Sequence, residues 1–265
     1  MMKQYNTDDL RHEEQTHLFL GLDLGKSQDF SALAALEYRR TWTMVRNRVT
    51  YGMAPENELV EYSVRQLARI PLGTKYLDVV KTVQGLLRRV TKKYDCTLVV
   101  DATGVGAPVM EMFQEMIPPQ RAVMVPVIIT AAASVSGGRK GQNDWRVSRQ
   151  DLLTGLQLML ETRQLAIGAD LKHAPALREE LLEMRSLRSD GSGRHDDLTM
   201  ALALACWRAR TVQPAPLLPA GEKAKGKPFG FQNNGFGESI YGSGSSPWGW
   251  PQQVRPRVVE DDREE

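Results

Sequence analysis

The sequence predicts an α/β fold in which one mixed β-sheet is flanked by α-helices, and two observations support this prediction. The first part of the chain contains apolar runs of strand length. From about residue 75 onward, apolar residues at helical spacing alternate with short strand-like runs, as in βαβ units with parallel strands. The first runs are expected to pair as antiparallel strands, and one sheet that contains both antiparallel and parallel strands is a mixed sheet. At 265 residues, 42% of them hydrophobic, a single medium-sized domain with tails is expected.

The elements can be assigned in order along the chain. Four strand candidates come first, the third of them a strand or a hairpin arm: 17–22, 30–38, 41–51 and 59–70. A helix is predicted over 75–94, because Val80, Val83 and Leu87 recur at helical spacing and basic residues lie near its C-terminal end. The remaining candidates are strand 97–101, a helix near 107–117, strand 122–129, a Gly-rich loop, a helix from about 145 to 162, strand 164–167, and helices at 174–184 and 196–210. This order is typical of a ribonuclease-H-like fold.

The two ends of the chain differ in composition from the middle. Residues 1–16 are polar and are expected to be flexible, whereas 17–211 form the folded domain. Residues 212–265 are rich in Gly, Pro and Ser and close on the acidic VVEDDREE. Such a tail buries too little apolar surface to become ordered, so it is predicted to be disordered. Cys96 and Cys206 lie in apolar runs and are interpreted as buried thiols.

Composition also limits the location and the partners of the protein. A formal net charge of +2 does not by itself require a nucleic-acid partner. The sequence has no run of ~18 apolar residues. Its polar N-terminus lacks the apolar core of a signal peptide. A cytoplasmic protein with no membrane partner is therefore expected.

Carboxylates at the ends of hydrophobic elements are the most informative feature of the sequence. Asp23 ends the run HLFLGLD, Asp101 ends TLVVD, and the pair Asp196 and Asp197 opens the helix candidate in GRHDDLTMALALACW. A carboxylate at the rim of a core is unfavourable unless it is paired, hydrogen-bonded or bound to a metal. These acids come from distant parts of the chain and are predicted to converge on divalent cations.

Each of these acids also has a purely structural interpretation. Asp23 would cap the bend at Gly25, and Asp101 would cap the helix near 107 as an Asx turn. One of Asp196 and Asp197 would act only as a helix N-cap, which contributes about 1 kcal/mol. Both cannot be caps, so at least one member of the pair remains a candidate ligand.

Two neighbouring residues are candidates for an accessory role. His195 is either a ligand or orienting group or a structural histidine, and Asp29 either supports the site or is a surface or turn residue. Two metal ions ~4 Å apart would stabilise the attacking and leaving oxygens of phosphodiester cleavage. A cluster of three or four carboxylates suits two Mg²⁺ or Mn²⁺ ions.

Basic residues near the Gly-rich loop are candidate DNA contacts. The cluster lies in SGGRKGQNDWRVSRQD and comprises Arg139, Lys140, Arg146 and Arg149. Neutralised phosphates supply most of the sequence-independent affinity for DNA. The alternative is a solvated loop followed by the start of a helix. Trp145 is interpreted as packing the following helix into the core.

Taken in order, several pieces of the sequence resemble the C-terminal nuclease domain of phage terminase large subunits. They are GLDLGKSQDFSALAAL, LVVDATGVGAPVMEMF, and LLTGLQLMLETRQLAI followed by LREELLEMRSLRSDGSGRHDDLTMALALA, and they cover roughly residues 17–210. The resemblance implies a ribonuclease-H-like fold and a metal-dependent endonuclease that cuts concatemeric DNA during genome packaging. Carried over by position, it implies that Asp23, Asp101 and Asp197 are the catalytic metal-binding acids, with Asp196 adjacent.

The resemblance also implies partners, namely double-stranded DNA, a terminase small subunit, a portal and a packaging ATPase, in the cytoplasm of a host cell. Because this chain has no room for an ATPase, the ATPase is expected to be a separate protein, or the chain is expected to be a remnant of a split or truncated gene. Its nearest match to a phosphate-binding loop, GLDLGKS, has three residues between Gly21 and Gly25 where that loop needs four.

Three other functions remain open at this point. An ATP-dependent phosphotransferase of the actin and sugar-kinase type also has a strand followed by Asp-x-Gly, as in Leu22 to Gly25. A Holliday-junction-resolving nuclease of the same fold would use the same acids. A non-catalytic packaging or structural module would be favoured if no divalent metal bound.

Overall fold

The computed structural model describes residues 10–25, 29–46, 53–131, 145–186, 196–212 and 257–258. The strands are β1 (Leu10–Asp23), β2 (Ser31–Arg46), β3 (Met53–Ile70), β4 (Asp95–Asp101), β5 (Val123–Thr130), β6 (Trp145–Ser148), β7 (Leu165–Ile167) and β8 (Arg257–Val258). The helices are α1 (Tyr76–Val90), α2 (Gly106–Met116), α3 (Arg149–Glu161), α4 (Ala174–Ser186) and α5 (Asp197–Thr211).

The strands form one mixed sheet in the order β6-β5-β4-β1-β2-β3-β7, and β8 pairs with β1 at Glu13 and Glu14. β2 is antiparallel to both β1 and β3, whereas β4, β5 and β6 run parallel to β1. This arrangement, with helices on both faces, confirms the predicted α/β fold in which one mixed sheet is flanked by helices. Because β1, β4, β5 and β6 are parallel, their C-terminal ends meet at one edge of the sheet, here called the carboxyl edge.

The helices cover the two faces of the sheet separately. Apolar residues of α3, α4 and α5 share one core cluster, and those of α1 and α2 share the other. Along β1, Phe19 belongs to the first cluster, whereas Leu20 and Leu22 belong to the second. Since side chains alternate along a strand, Gly21 and Asp23 lie on the same face as Phe19. We call this side of the sheet the α5 face.

Several element boundaries differ from the predictions, and strand pairing explains the following differences. β1 begins at Leu10, which pairs with Val45, so the predicted domain boundary after residue 16 falls inside a strand. As far as Arg46, the predicted strands 30–38 and 41–51 belong to one strand, β2, because its residues Ala32 to Val45 pair with β1 without interruption. Residues 47–51 lie outside the described residues. The helix predicted from residue 145 begins at Arg149, because Trp145–Ser148 pairs with β5 as strand β6.

The two cysteines are buried and do not form a disulfide, as predicted. Burial raises the pKa of each thiol, in Cys96 and in Cys206, to about 12. Within the described ranges, no helix is both long enough and apolar enough to cross a membrane.

Candidate active site

Asp23 and Asp101 lie side by side at the carboxyl edge. Leu22 pairs with Val100 in the parallel β1–β4 ladder, and each aspartate is the next residue of its strand. Val99 belongs to the core cluster of the α5 face, so Asp101, two residues later, lies on that face with Asp23. Neighbouring strands are about 4.8 Å apart, which brings the two carboxylates into direct contact range.

Helix α5 brings Asp197 to the same place. The helix lies against the backbone of β1 at Gly21, where an added Cβ would overlap the Ala201 carbonyl oxygen and come within 2.9 Å of the Ala205 nitrogen. Only glycine permits so close an approach. Asp197 lies one helical turn before Ala201 and is buried, at 6% exposure.

The three carboxylates lie close enough to affect one another electrostatically. Burial raises this pKa well above its usual value, and the charges of Asp101 and Asp197 and a hydrogen bond with Asp101 raise it further. Burial also raises the pKa of Asp101, although hydrogen bonds from Thr103 oppose the change. Repulsion between clustered acids disfavours the fully ionised cluster, and a bound cation would offset this repulsion.

Asp101 forms an Asx turn at the end of β4, but it does not cap α2, whose N-cap residue is Val105. The Thr103 N–H donates a hydrogen bond of 2.8 Å to Asp101 Oδ1, which forms the Asx turn considered from the sequence. One carboxylate oxygen therefore fixes the strand-to-helix turn. The Asx turn is compatible with a place for Asp101 in the acid cluster, because the turn engages only one of its two carboxylate oxygens.

The bend after β1 is closed by groups other than the Asp23 carboxylate. The Gly25 N–H donates to Ser31 Oγ at 3.1 Å, and the Tyr76 hydroxyl donates to the Gly25 carbonyl at 3.4 Å. Asp29 is exposed, and its backbone carbonyl crowds Gly25, as does that of Phe30. The position of Asp29 matches the surface or turn interpretation.

Asp196 and Arg149 form an ion pair at the rim of the cluster. Asp196 occupies the N-cap position of α5, but its side chain makes no capping hydrogen bond and instead accepts one from Arg149 Nη2. Arg149 also lowers the pKa of both Asp23 and Asp101. The candidate DNA contact Arg149 therefore lies beside the acids, because it follows the end of β6 at the carboxyl edge.

The other basic candidates lie elsewhere. Arg146 is exposed and alternates with Val147, which is buried on the α5 face, so Arg146 lies on the opposite face of the sheet. Arg139, Lys140 and His195 lie outside the described residues. Trp145 packs against Trp207 of α5 at a ring distance of 5.6 Å, which places it against the core as predicted, but from a strand.

Sequence reasoning missed Glu180 and Arg69, which form an ion pair beside the first turn of α5. Glu180 of α4 is 5% exposed and accepts hydrogen bonds from the Thr199 N–H at 2.8 Å and from Arg69 Nη2 at 2.5 Å. Glu180 lies three residues after the buried Leu177, on the same helical face. That spacing was the available signal, since it distinguishes Glu180 from its exposed neighbour Glu179.

The acids fit a divalent cation by their chemistry. Carboxylate oxygens are the ligands that Mg²⁺ and Mn²⁺ prefer, and Asp23, Asp101 and Asp197 place three such groups in one electrostatic environment. As the side chains stand, no three His, Cys, Asp or Glu residues among those described are grouped closely enough to hold a metal ion. Binding would therefore require the carboxylates to draw closer together.

Comparisons with known proteins gave similarity only at the level of structure. No known protein family and no curated protein matches the sequence. The human cytomegalovirus terminase nuclease domain, soaked in Mn, is 12% identical over 73% of this chain and 83% of its own, with a TM-score of 0.44. A mutant nuclease domain of the large terminase subunit of bacterial virus Sf6, with manganese and beta-thujaplicinol, is 11% identical over 73% of this chain and 87% of its own, with a TM-score of 0.42. Likenesses this distant assign no residue of the present chain.

Proposed function

We propose that this protein is a metal-dependent DNA endonuclease that hydrolyses phosphodiester bonds with two bound Mg²⁺ or Mn²⁺ ions. One observation carries the proposal: Asp23 and Asp101 end neighbouring parallel strands, and Asp197 begins the helix that packs directly on β1, so three separate elements bring acids together. Burial, and then the charges of Asp101 and Asp197, raise the pKa of Asp23. Proteins retain clustered, partly buried acids mainly where a function needs them, and perturbed pKa values concentrate at such sites.

In the proposed reaction, the three aspartates act in their ionised form as ligands. When bound, the two metal ions would activate a water molecule and stabilise the charge that develops on the phosphate. The Thr103 N–H holds one Asp101 oxygen in a fixed direction, and the contact at Gly21 sets the distance between β1 and α5. Arg149, at the rim, adds a positive charge where a DNA backbone would approach.

The direct test is incubation of the purified chain with supercoiled plasmid in Mn²⁺, in Mg²⁺ and in a chelator. We expect metal-dependent nicking and linearisation. Asp23→Asn should reduce the rate by on the order of a hundredfold or more, because it removes a charged ligand at unchanged volume. The matched control is Asp29→Asn, which changes an exposed acid in the same β1–β2 connection and should cut like the parent. Cleavage by Asp23→Asn at the parent rate would contradict the assignment of the site.

The biological role proposed here is the cutting of concatemeric viral DNA during genome packaging. It rests on the resemblance of the sequence to terminase nuclease domains, which also suggests a packaging ATPase, a small subunit and a portal as partners. We expect a cognate packaging ATPase to increase the rate at which this chain cuts concatemeric DNA. If the cleavage rate is the same with and without the packaging ATPase, the protein would be a nuclease that has no role in packaging.

A further inference from the structure

We infer that Glu180 and Arg69 form a buried brace that positions Asp197 for metal binding. The inference deepens the proposed function, on which it rests, by naming two residues outside the acid cluster that act on it. It concerns positioning only: Glu180 uses one carboxylate oxygen for the Thr199 N–H and the other for Arg69.

The start of α5 needs a hydrogen-bond acceptor from outside the helix. The first N–H groups of an α-helix have no partner within it, and a side chain at the N-cap usually accepts from one of them. Asp196 holds the N-cap position here, but its carboxylate is engaged by Arg149. Glu180 accepts from Thr199 in its place, from a different helix, and its negative charge suits the positive end of the α5 dipole.

This bond anchors the turn of α5 that carries Asp197. Asp197 is the first residue of the helix, and Thr199 is two residues further along. A carboxylate fixed to the Thr199 N–H therefore limits rotation and fraying of the first turn. Residues that orient metal ligands in this way affect metal affinity without touching the ion.

Arg69 supplies the partner that the buried Glu180 carboxylate needs. The ion pair of 2.5 Å joins a carboxylate of 4% side-chain exposure to a guanidinium of 24%. A buried carboxylate without such a partner would be strongly unfavourable. The Arg69 guanidinium also lies 5.4 Å from the centre of the Phe30 ring, next to Ser31, which closes the bend after Asp23. The brace thus links the segments that carry Asp197 and Asp23.

The test compares Glu180→Ala, Glu180→Gln and Arg69→Met with the matched control Glu179→Ala, which removes an exposed acid from the same helix. Mn²⁺ affinity is measured by calorimetry on the full chain, and the metal-induced rise in Tm is measured in parallel. We expect Glu180→Ala to bind Mn²⁺ about 10–100-fold more weakly, while the control binds like the parent. The Mn²⁺ affinity of Glu180→Gln should lie between those of Glu180→Ala and the control. Its amide oxygen still accepts from the Thr199 N–H, but its NH₂ group cannot pair with Arg69.

A merely structural role predicts a different result. Tm without metal would then fall in the Glu180 variants, while their Mn²⁺ affinity stayed at the parent value, and this outcome would overturn the inference. If Glu180→Ala does not fold, the near-isosteric Glu180→Gln and Arg69→Met decide by the same criterion. A parent protein that neither binds Mn²⁺ nor cuts DNA would instead refute the proposed function itself, so the two failures are distinguishable.

Discussion

The contact between α5 and β1 at Gly21 offers a sharp test of how the fold builds the site. In Gly21→Ala, the new methyl group would overlap the Ala201 carbonyl and lie 2.9 Å from the Ala205 nitrogen. Both atoms belong to the helix backbone, which cannot turn aside as a side chain can. The substitution must therefore push α5 away from the sheet or prevent the helix from docking.

The size of the shift follows from the distances. To move the Ala205 nitrogen from 2.9 Å to the ordinary contact distance of 3.4 Å, α5 has to retreat by about 0.5 Å, and the overlap with Ala201 requires more. Overpacking of this kind costs about 1–3 kcal/mol, and a backbone clash belongs at the upper end. Catalytic groups need to be held within about 0.5 Å, and a displacement of 1 Å lowers rates by on the order of a hundredfold. Asp197, one turn from the clash, should be displaced with the helix.

The assay combines urea unfolding with Mn²⁺-dependent plasmid cleavage. Gly85→Ala is the matched control, because a Cβ at this exposed position of α1 meets no atom within 4 Å. We expect it to raise the free energy of unfolding by about 0.4–1 kcal/mol and to leave cleavage unchanged. We expect Gly21→Ala to lower both stability and cleavage. A Gly21→Ala protein as stable and as active as the parent would refute the close approach of α5 to β1.

Three further predictions concern charge. Folding raises the pKa of Asp23, so the folded protein keeps a proton on this carboxyl that the unfolded chain loses above about pH 4. Without metal, the contribution of Asp23 to stability is therefore full below that pH and is lost as the pH rises through the raised pKa. In a chelator, the free energy of unfolding of Asp23→Asn should fall less with rising pH than that of the parent, by about 1.4 kcal/mol per unit of pKa shift. The same pH dependence in both proteins would argue against the raised pKa. Arg149→Ala should move the acidic limb of the cleavage–pH profile to higher pH, because Arg149 lowers the pKa of Asp23 and Asp101; a profile that stays in place would contradict this. Replacing Arg139 and Lys140 together by Ala should reduce the slope of log affinity against log salt by about 0.9 per lost phosphate contact, whereas a solvated loop predicts the same slope as the parent.

The sequence by itself was sufficient for features that depend on neighbouring residues. The apolar runs that end in Asp23 and Asp101 predicted two buried strands with acids at their ends, and both are present. The helical spacing of Val80, Val83 and Leu87 predicted α1, whose buried face contains all three. These signals are local, because the periods of strands and helices are set by the backbone within a few residues.

Only the tertiary structure decided which distant groups meet. Trp145–Ser148 reads as the start of a helix until β5 is available to pair with it. The sequence contains no signal that Arg149 pairs with Asp196, because the parallel order of the strands brings the two residues together. The sequence does not show that Glu180, and not the adjacent Glu179, accepts a hydrogen bond from Thr199, because the packing of α4 against α5 decides this. In each case the deciding partner is far away in the sequence, and local pattern contains no information about which long-range pairings lower the free energy of the folded chain.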